Sequence, residues 1–135
     1  MTDTTDTTTP THPAVYLPVI DRYFAALNET DADARRTLTE QAWTEDGGYF
    51  DPLTQALGHD ELVDVPALAH QQFPGQRFVR TSGVDAHHGL VRFEWALAAE
   101  DGTASIEGTD VGIVAEDGRL SRIAGFFGPV PARES

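Results

Sequence analysis

The first half of the chain repeats its apolar residues every three to four positions, which is the spacing of one face of a helix. Residues 13–28 show this pattern. Pro18 predicts that the regular helix begins near Leu17, because proline fits only the first turn of a helix. Residues 31–43 and 59–73 repeat the pattern, so the sequence predicts three helices in this half.

Capping and breaking residues set the predicted ends of these helices. Thr30 and Asp33 have the spacing of a capping box that opens the second helix, and Gly47–Gly48 is predicted to end it. Residues 49–52 are predicted to form a short extended segment, since the residue before a proline avoids the helical conformation. Pro66 is predicted to kink or divide the third helix.

After Pro74 the apolar period changes to two, which indicates strands. Four strands are predicted, over residues 77–86, 90–99, 103–115 and 120–127. The turns between them hold Gly89, Gly102 and Gly118, and glycine supplies the positive φ that tight hairpin turns require. Helices followed by an antiparallel meander indicate an α+β fold. We expect a strongly curved sheet that wraps around the helices and leaves a pocket between them.

The length and composition of the chain predict one acidic domain. The chain has 135 residues, of which 40% are hydrophobic, and a net charge of −13. Residues 1–12 are rich in threonine and aspartate, so we predict a disordered tail there, one domain over residues 13–128 and a C-terminal tail over residues 129–135. The acidic balance predicts no nucleic-acid partner, because phosphate backbones would be repelled.

Missing residue types and motifs exclude several chemistries. The chain has no cysteine, which rules out a disulfide framework and a thiolate zinc site, and no lysine, which rules out a Schiff base. Its five histidines lack the spacing of metal ligands, so we predict no metal and no cofactor. No apolar run reaches about 18 residues and no signal peptide is evident, so we expect no membrane segment and a cytoplasmic location.

Asp110 is an anomaly within the third predicted strand. It shares one face of that strand with Gly108 and Gly112, and an acid on an apolar face needs a hydrogen-bond partner or a proton. We interpret Asp110 as a pocket residue. The alternative is an ordinary salt bridge to Arg92 or Arg122.

Two further residues offer acid–base chemistry. Tyr23 lies on the apolar face of the first helix, and a buried phenol needs a hydrogen-bond partner. Contact with Asp110 would satisfy both groups; the alternative is a packing tyrosine. Asp51 lies among Tyr49, Phe50 and Leu53, an apolar setting of the kind that makes a carboxylate a stronger base. The alternative is that its side chain only starts the following turn.

Three segments resemble the nuclear transport factor 2-like superfamily, which includes the SnoaL-like cyclases and the ketosteroid isomerases. Residues 22–28 are similar to the first helix of a ketosteroid isomerase, residues 50–52 to its Asp-Pro segment, and residues 109–128 to its last hairpin. The resemblance covers about residues 13–128. It implies a cone-shaped α+β fold, in which N-terminal helices pack in a curved, mainly antiparallel sheet.

The same resemblance implies roles for individual residues. It implies the oxyanion tyrosine for Tyr23, the general base for Asp51 and the protonated aspartate of an oxyanion hole for Asp110. The superfamily contains isomerases, cyclases, dehydratases, epoxide hydrolases and plain binding modules, so the resemblance leaves the reaction open.

Four more residues are predicted to bind substrate. Phe50 precedes the predicted base, and Phe126 lies in the last predicted strand. His70 on the third helix resembles the acid–base histidines of related dehydratases; the alternative is a partly exposed helix residue. Arg92 and Glu94 point to one side of a strand, which resembles the limonene-type epoxide hydrolases. The alternative for this pair is an outward-facing ion pair.

These features together predict a cofactor-free acid–base enzyme, of isomerase or cyclase type, that acts on a small apolar carbonyl compound. The alternatives are an epoxide hydrolase-like or dehydratase-like enzyme, and a non-catalytic ligand-binding or dimerisation module in which the acids are structural. We also predict a homodimer. Apolar positions occur on both sheet faces along residues 111–114, and the helices can cover only one face.

Overall fold

The computed structural model describes residues 12–134, in which three helices pack against one seven-stranded sheet. A short 3-10 helix over Pro13–Tyr16 precedes the first helix. The helices are α1 (Leu17–Asn28), α2 (Ala32–Ala42) and α3 (Gly58–Gln72). The strands are β1 (Trp43–Asp51), β2 (Thr54–Leu57), β3 (Arg77–Arg80), β4 (Asp85–His87), β5 (Leu90–Ala98), β6 (Ala104–Val114) and β7 (Leu120–Phe127). The tail predicted over residues 1–12 lies outside the described residues, except for His12.

The helix predictions are confirmed in number and corrected in detail. The regular helix α1 begins at Leu17 with Pro18 in its first turn, as predicted. Asp31, rather than Thr30, caps α2, and its carboxylate accepts a hydrogen bond from the Ala34 amide at 2.9 Å. Pro66 lies inside α3 without dividing it. None of the described helices is both long enough and apolar enough to cross a membrane.

The glycine pair that was expected to end a helix lies within a strand. Helix α2 ends at Ala42, and β1 starts at the next residue. The pairing register between β1 and β7 shifts between Trp43 and Gly48, which marks a bulge. A Cβ atom at Gly47 would lie 2.6 Å from Cε3 of Trp43, so a side chain there has no room. The prediction was wrong because a glycine pair at a bulge and one at a helix end look the same in sequence.

The sheet has the strand order β2-β1-β7-β6-β5-β3, and β4 pairs with the other half of β5. All neighbours are antiparallel except β1 and β7, so the curved, mainly antiparallel sheet is confirmed. The strand predicted over residues 77–86 is two short strands. Between these two strands the Ser82 hydroxyl accepts a hydrogen bond from the Glu94 amide at 2.7 Å. In a continuous strand a backbone carbonyl would have accepted this hydrogen bond.

Alternation along β5 and β6 defines the two faces of the sheet. Val91, Phe93, Trp95 and Leu97 are buried in the core against the helices, whereas Arg92 and Glu94 are exposed on the outer face. Asp110 is buried on the inner face, in the same layer as the core. The inner face and the helices therefore enclose the only buried carboxyl among the described residues.

Candidate functional site

A cavity of about 370 Å³ lies between the inner face of the sheet and helices α1 and α3. Most of its lining is apolar and much of that is aromatic, including Phe24, Phe73, Phe78 and Phe127. Its polar lining consists of Tyr23, Tyr49, Asp51, Thr54, Gln72, Trp95 and Asp110. No arginine or histidine is among the described residues that line it, so the cavity offers carboxyls, phenols and neutral groups but no cation.

Asp110 is a buried polar group of the cavity lining, and it accepts two hydrogen bonds. The Tyr23 hydroxyl donates to Oδ2 at 2.9 Å, and the Trp95 indole nitrogen donates to Oδ1 at 3.0 Å. The three residues come from α1, β5 and β6, so the contact forms only once the helix packs on the sheet. Asp110 is 2% exposed, and each of its carboxyl oxygens has one hydrogen-bond donor, neither of them charged.

Two glycines make room for this arrangement. In the β5–β6 pairing Gly108 is opposite Trp95, and a Cβ atom on Gly108 would lie 2.6 Å from the indole ring. In the β6–β7 pairing Gly125 is opposite Asp110, and a Cβ atom there would lie 2.9 Å from Oδ1 of Asp110. That same Cβ would be 3.5 Å from Cβ of Asp51, so Gly125 separates the two acids and lets both approach the cavity.

Asp51 forms the second phenol–carboxyl pair. The Tyr49 hydroxyl donates to Oδ2 of Asp51 at 2.6 Å, and the Leu53 amide donates to Oδ1 at 2.8 Å. Tyr49 and Asp51 are two residues apart on β1, so both side chains point to the inner face. Asp51 is partly exposed, whereas Asp110 is buried, so the two acids differ in their access to water.

Burial sets the ionisation of Asp110, Tyr23 and Tyr49. Burial raises the pKa of Asp110 from 3.8 to about 7; the hydrogen bonds from Tyr23 and Trp95 oppose the rise, and the charge of Asp51 adds to it. Burial also raises the pKa of Tyr23 and of Tyr49, and the negative charge on Asp110 raises both further. Both phenols are therefore neutral hydrogen-bond donors at any physiological pH.

The chemistry available in the cavity follows from these states. Near pH 7 Asp110 exists in both protonated and ionised forms, so it can donate or accept a proton. A neutral phenol next to a protonated carboxyl can stabilise negative charge that develops on a carbonyl oxygen. The cavity also holds a second carboxyl group, that of Asp51. The arrangement is suited to moving a proton next to a carbonyl group.

The structure brings together the three residues predicted to be catalytic. Tyr23, Asp51 and Asp110 all line the cavity, and the expected contact between Tyr23 and Asp110 is present. The alternative of a salt bridge from Asp110 to Arg92 or Arg122 is wrong, because Asp110 pairs with neutral donors. The alternative for Asp51 was that its side chain starts the following turn. That contact is also present, because the Asp51 carboxyl accepts a hydrogen bond from the Leu53 amide in this turn.

Two of the predicted substrate-binding residues lie on the outer face of the sheet. Phe50 alternates with Tyr49 and Asp51 on β1, so its side chain lies against the opposite face from the cavity. Arg92 is exposed and pairs across the strands with Asp85 at 2.8 Å, as the outward ion-pair alternative described. Their placement in the substrate pocket is therefore wrong, and the reason is strand alternation.

The other two predicted binding residues also lie outside the cavity. Phe126 is 61% exposed, and its neighbour Phe127 lines the cavity instead. His70 is on the side of α3 that meets the end of α1, where its Nε2 atom is 2.9 Å from the carbonyl oxygen of Leu27. The structure thus gives His70 a packing role between helices.

Two residues of the site were not found from the sequence. Tyr49 carried a usable signal, because it is two residues before Asp51 in an extended segment and must share its face. Trp95 carried none, because its contact with Asp110 depends on the register between β5 and β6 and on the space left by Gly108.

Comparison with known proteins places this geometry in a family. A candidate isomerase of the SnoaL-like family from Agrobacterium tumefaciens is 38% identical in sequence, and its structure matches with a TM-score of 0.80. The match covers 86% of this chain and 99% of that one. The chain belongs to the SnoaL-like family. The resemblance stated from the sequence is thereby confirmed, and so is the cone-shaped α+β fold.

More distant solved structures share the fold of this SnoaL-like protein. A candidate SnoaL-like polyketide cyclase from Jannaschia is 14% identical with a TM-score of 0.66, over 91% of each chain. A nuclear transport factor 2-like protein from Exiguobacterium is 17% identical with a TM-score of 0.64, over 83% of this chain and 99% of that one. No family model matches the chain, and no curated protein matches it.

Proposed function

We propose that this SnoaL-like protein is a cofactor-free acid–base enzyme, of isomerase or cyclase type, that acts on a small apolar carbonyl compound. One observation carries the proposal: two phenol–carboxyl pairs converge in a single apolar cavity, and the pKa of one carboxyl is raised to about 7. A structural salt bridge would instead have given each acid a cationic partner. An acid with a perturbed pKa in an apolar cavity is typical of a catalytic site.

The two acids would have different roles. Asp51, which is nearer to solvent, would remove a proton from the carbon next to the carbonyl group. Tyr23 and the protonated form of Asp110 would donate hydrogen bonds to the carbonyl oxygen as it gains negative charge, once the Tyr23 hydroxyl turns from Oδ2 of Asp110 to the ligand. In an isomerase the proton would return to another carbon of the enolate. In a cyclase the enolate carbon would attack a second carbonyl group, which then takes up a proton.

The character of the cavity supports a neutral substrate. The described lining residues include two carboxyls and no cation, and the chain as a whole has a net charge of −13. A substrate with a carboxylate or phosphate in the cavity would be repelled and would find no counter-charge. The SnoaL-like structure from Agrobacterium tumefaciens, a candidate isomerase with 38% identity, supports the same reaction type.

A second candidate function is ligand binding without catalysis. The observation that favours it is that both oxygens of Asp51 already accept hydrogen bonds within the protein, one of them in an ordinary turn. Epoxide hydrolase-like or dehydratase-like chemistry has less support, because Arg92 and His70 lie outside the cavity.

Ligand binding and turnover can be tested together. A panel of neutral enolisable ketones is screened by thermal shift, and those that bind are incubated with the wild type and with Asp51→Asn. The enzyme proposal expects binding to both proteins and turnover only by the wild type. Binding to both without turnover of any ketone would favour the non-catalytic module.

We also propose that the protein is a homodimer through the outer face of its sheet. This face carries exposed apolar side chains, among them Val111, Ile113 and Phe126, and a shallow apolar groove that Phe50 and Leu90 help to form. The helices cover only the inner face, so these side chains lie in solvent in the single chain. A second copy would remove this apolar surface from water.

A further inference from the structure

Two leucines lie at the opening of the cavity and are exposed to solvent. Leu53, in the turn between β1 and β2, is 74% exposed, and Leu68, on α3, is 52% exposed. Both also line the cavity. A side chain that lines a cavity while most of its surface is in water must lie at the mouth of that cavity. The apolar lining therefore continues past the opening on two elements, the β1–β2 turn and α3.

We propose that Leu53 and Leu68, which we call the rim leucines, determine specificity by covering the distal apolar part of a ligand that is longer than the cavity. The inference rests on the proposed function, because it takes the carbonyl end of the ligand to be held by the inner acids and phenols. It adds that the substrate is elongated and that its outer part is apolar.

The surroundings of the rim leucines favour a small-molecule ligand over other occupants. The apolar surface is continuous with the cavity lining, so one ligand can contact both. Thr54 follows Leu53, and Gln72 lies one helical turn beyond Leu68; both line the cavity, and neither forms a side-chain hydrogen bond within the described part of the chain. The side chains of Thr54 and Gln72 are neutral, which suits an uncharged ligand chain that passes them as it leaves the cavity.

The experiment measures dissociation constants for a series of straight-chain methyl ketones, from six to fourteen carbons, by quenching of tryptophan fluorescence. Trp95 lines the cavity and reports its occupancy. Complete burial of one ligand methylene strengthens binding about four-fold, and burial of only one side of that methylene strengthens it about two-fold. We expect the affinity of the wild type to rise about two-fold per carbon after the cavity is filled.

Replacing the rim leucines should change only the long ligands. In Leu53→Asn and Leu68→Asn we expect the short ketones to bind with the affinity of the wild type. The gain in affinity of about two-fold per added carbon should disappear in these variants. Leu57→Asn is the matched control, since Leu57 is 48% exposed in the same hairpin but does not line the cavity. Circular dichroism and urea unfolding establish that each variant is folded.

The outcomes separate this inference from the proposed function. Equal weakening of short and long ketones in the rim variants, or no change in either, overturns the inference. Dissociation constants for long ketones that depend on protein concentration also overturn it, because a second copy would then cover the leucines. A length dependence that the rim variants abolish supports it, even where no ketone is turned over and the catalytic proposal fails.

Discussion

Replacement of Asp110 by asparagine keeps the shape of the side chain and removes its ionisation. In the folded chain burial raises the pKa of Asp110 from 3.8 to about 7, against the opposing hydrogen bonds from Tyr23 and Trp95. Between these two values the folded chain holds a proton that the unfolded chain has released. The contribution of Asp110 to the free energy of unfolding therefore falls as the pH rises from about 4 to about 7, and this loss is complete above about pH 7.

The size of the effect follows from the two pKa values. The difference between 3.8 and about 7 corresponds to about 4 kcal/mol of unfolding free energy. In the variant the asparagine oxygen can accept from the Trp95 indole, while its amide donates to the Tyr23 hydroxyl, so both contacts persist. Exchanging a carboxyl for an amide in these contacts costs about 1 kcal/mol. We expect Asp110→Asn to be about 3 kcal/mol more stable than the wild type at pH 8.

The assay is urea unfolding followed by circular dichroism at several pH values between 4 and 8.5. We subtract the free energy of unfolding of the wild type from that of Asp110→Asn at each pH. This difference should be slightly negative near pH 4, increase until about pH 7 and stay constant at higher pH. Glu107→Gln is the control, because Glu107 is exposed on the outer face of the same strand, and its difference curve should be flat. An Asp110→Asn variant that is less stable than the wild type at pH 8 would refute the reasoning, since Asp110 would then be stabilised as a carboxylate.

Three further changes test other parts of the account. Gly125→Ala should lower the free energy of unfolding by about 1–3 kcal/mol in urea, because its Cβ would meet Oδ1 of Asp110 at 2.9 Å; unchanged stability would show that the acids have more room than the structure gives them. Tyr49→Phe should lower kcat by about ten-fold to a hundred-fold with little change in KM, because Asp51 loses the 2.6 Å hydrogen bond that orients it; an unchanged kcat would contradict this positioning role. Ile113→Asp should halve the mass measured by light scattering and leave the circular dichroism unchanged, whereas a wild-type mass equal to that of one chain would contradict the homodimer.

Much of the site could be predicted from the sequence because its residues break local patterns. Asp110 was found because an acid on an apolar, glycine-rich strand face is unusual, and the position of that face depends only on alternation. Helical periodicity placed Tyr23 on the apolar face of α1, and the resemblance to the ketosteroid isomerases marked it as a site residue. Both inferences use local geometry, and the packing of α1 on the sheet then produced the contact between the two side chains.

The errors arise where the outcome depends on contacts between distant elements. His70 could face the cavity or the end of α1, and only the packing of α3 against α1 decides this. Arg92 faces outwards because the alternate residues of β5 form the core, which depends on which face the helices cover. Phe50 differs, because the extended segment predicted over residues 49–52 already implies that Phe50 and Asp51 point to opposite faces, and the two residues could not both line one cavity.

The most direct test of acid–base catalysis is proton exchange at the carbon next to a carbonyl group. A neutral ketone that binds in the thermal-shift screen is incubated in D₂O with catalytic amounts of protein, and the loss of its α-proton signal is followed by NMR. We expect the wild type to accelerate exchange well above buffer, Asp51→Asn to lose at least about 100-fold of that rate while still binding the ketone, and the exposed control Asp64→Asn to match the wild type. Exchange at the buffer rate with every ketone that binds, or an Asp51→Asn rate equal to that of the wild type, would contradict the proposed acid–base function.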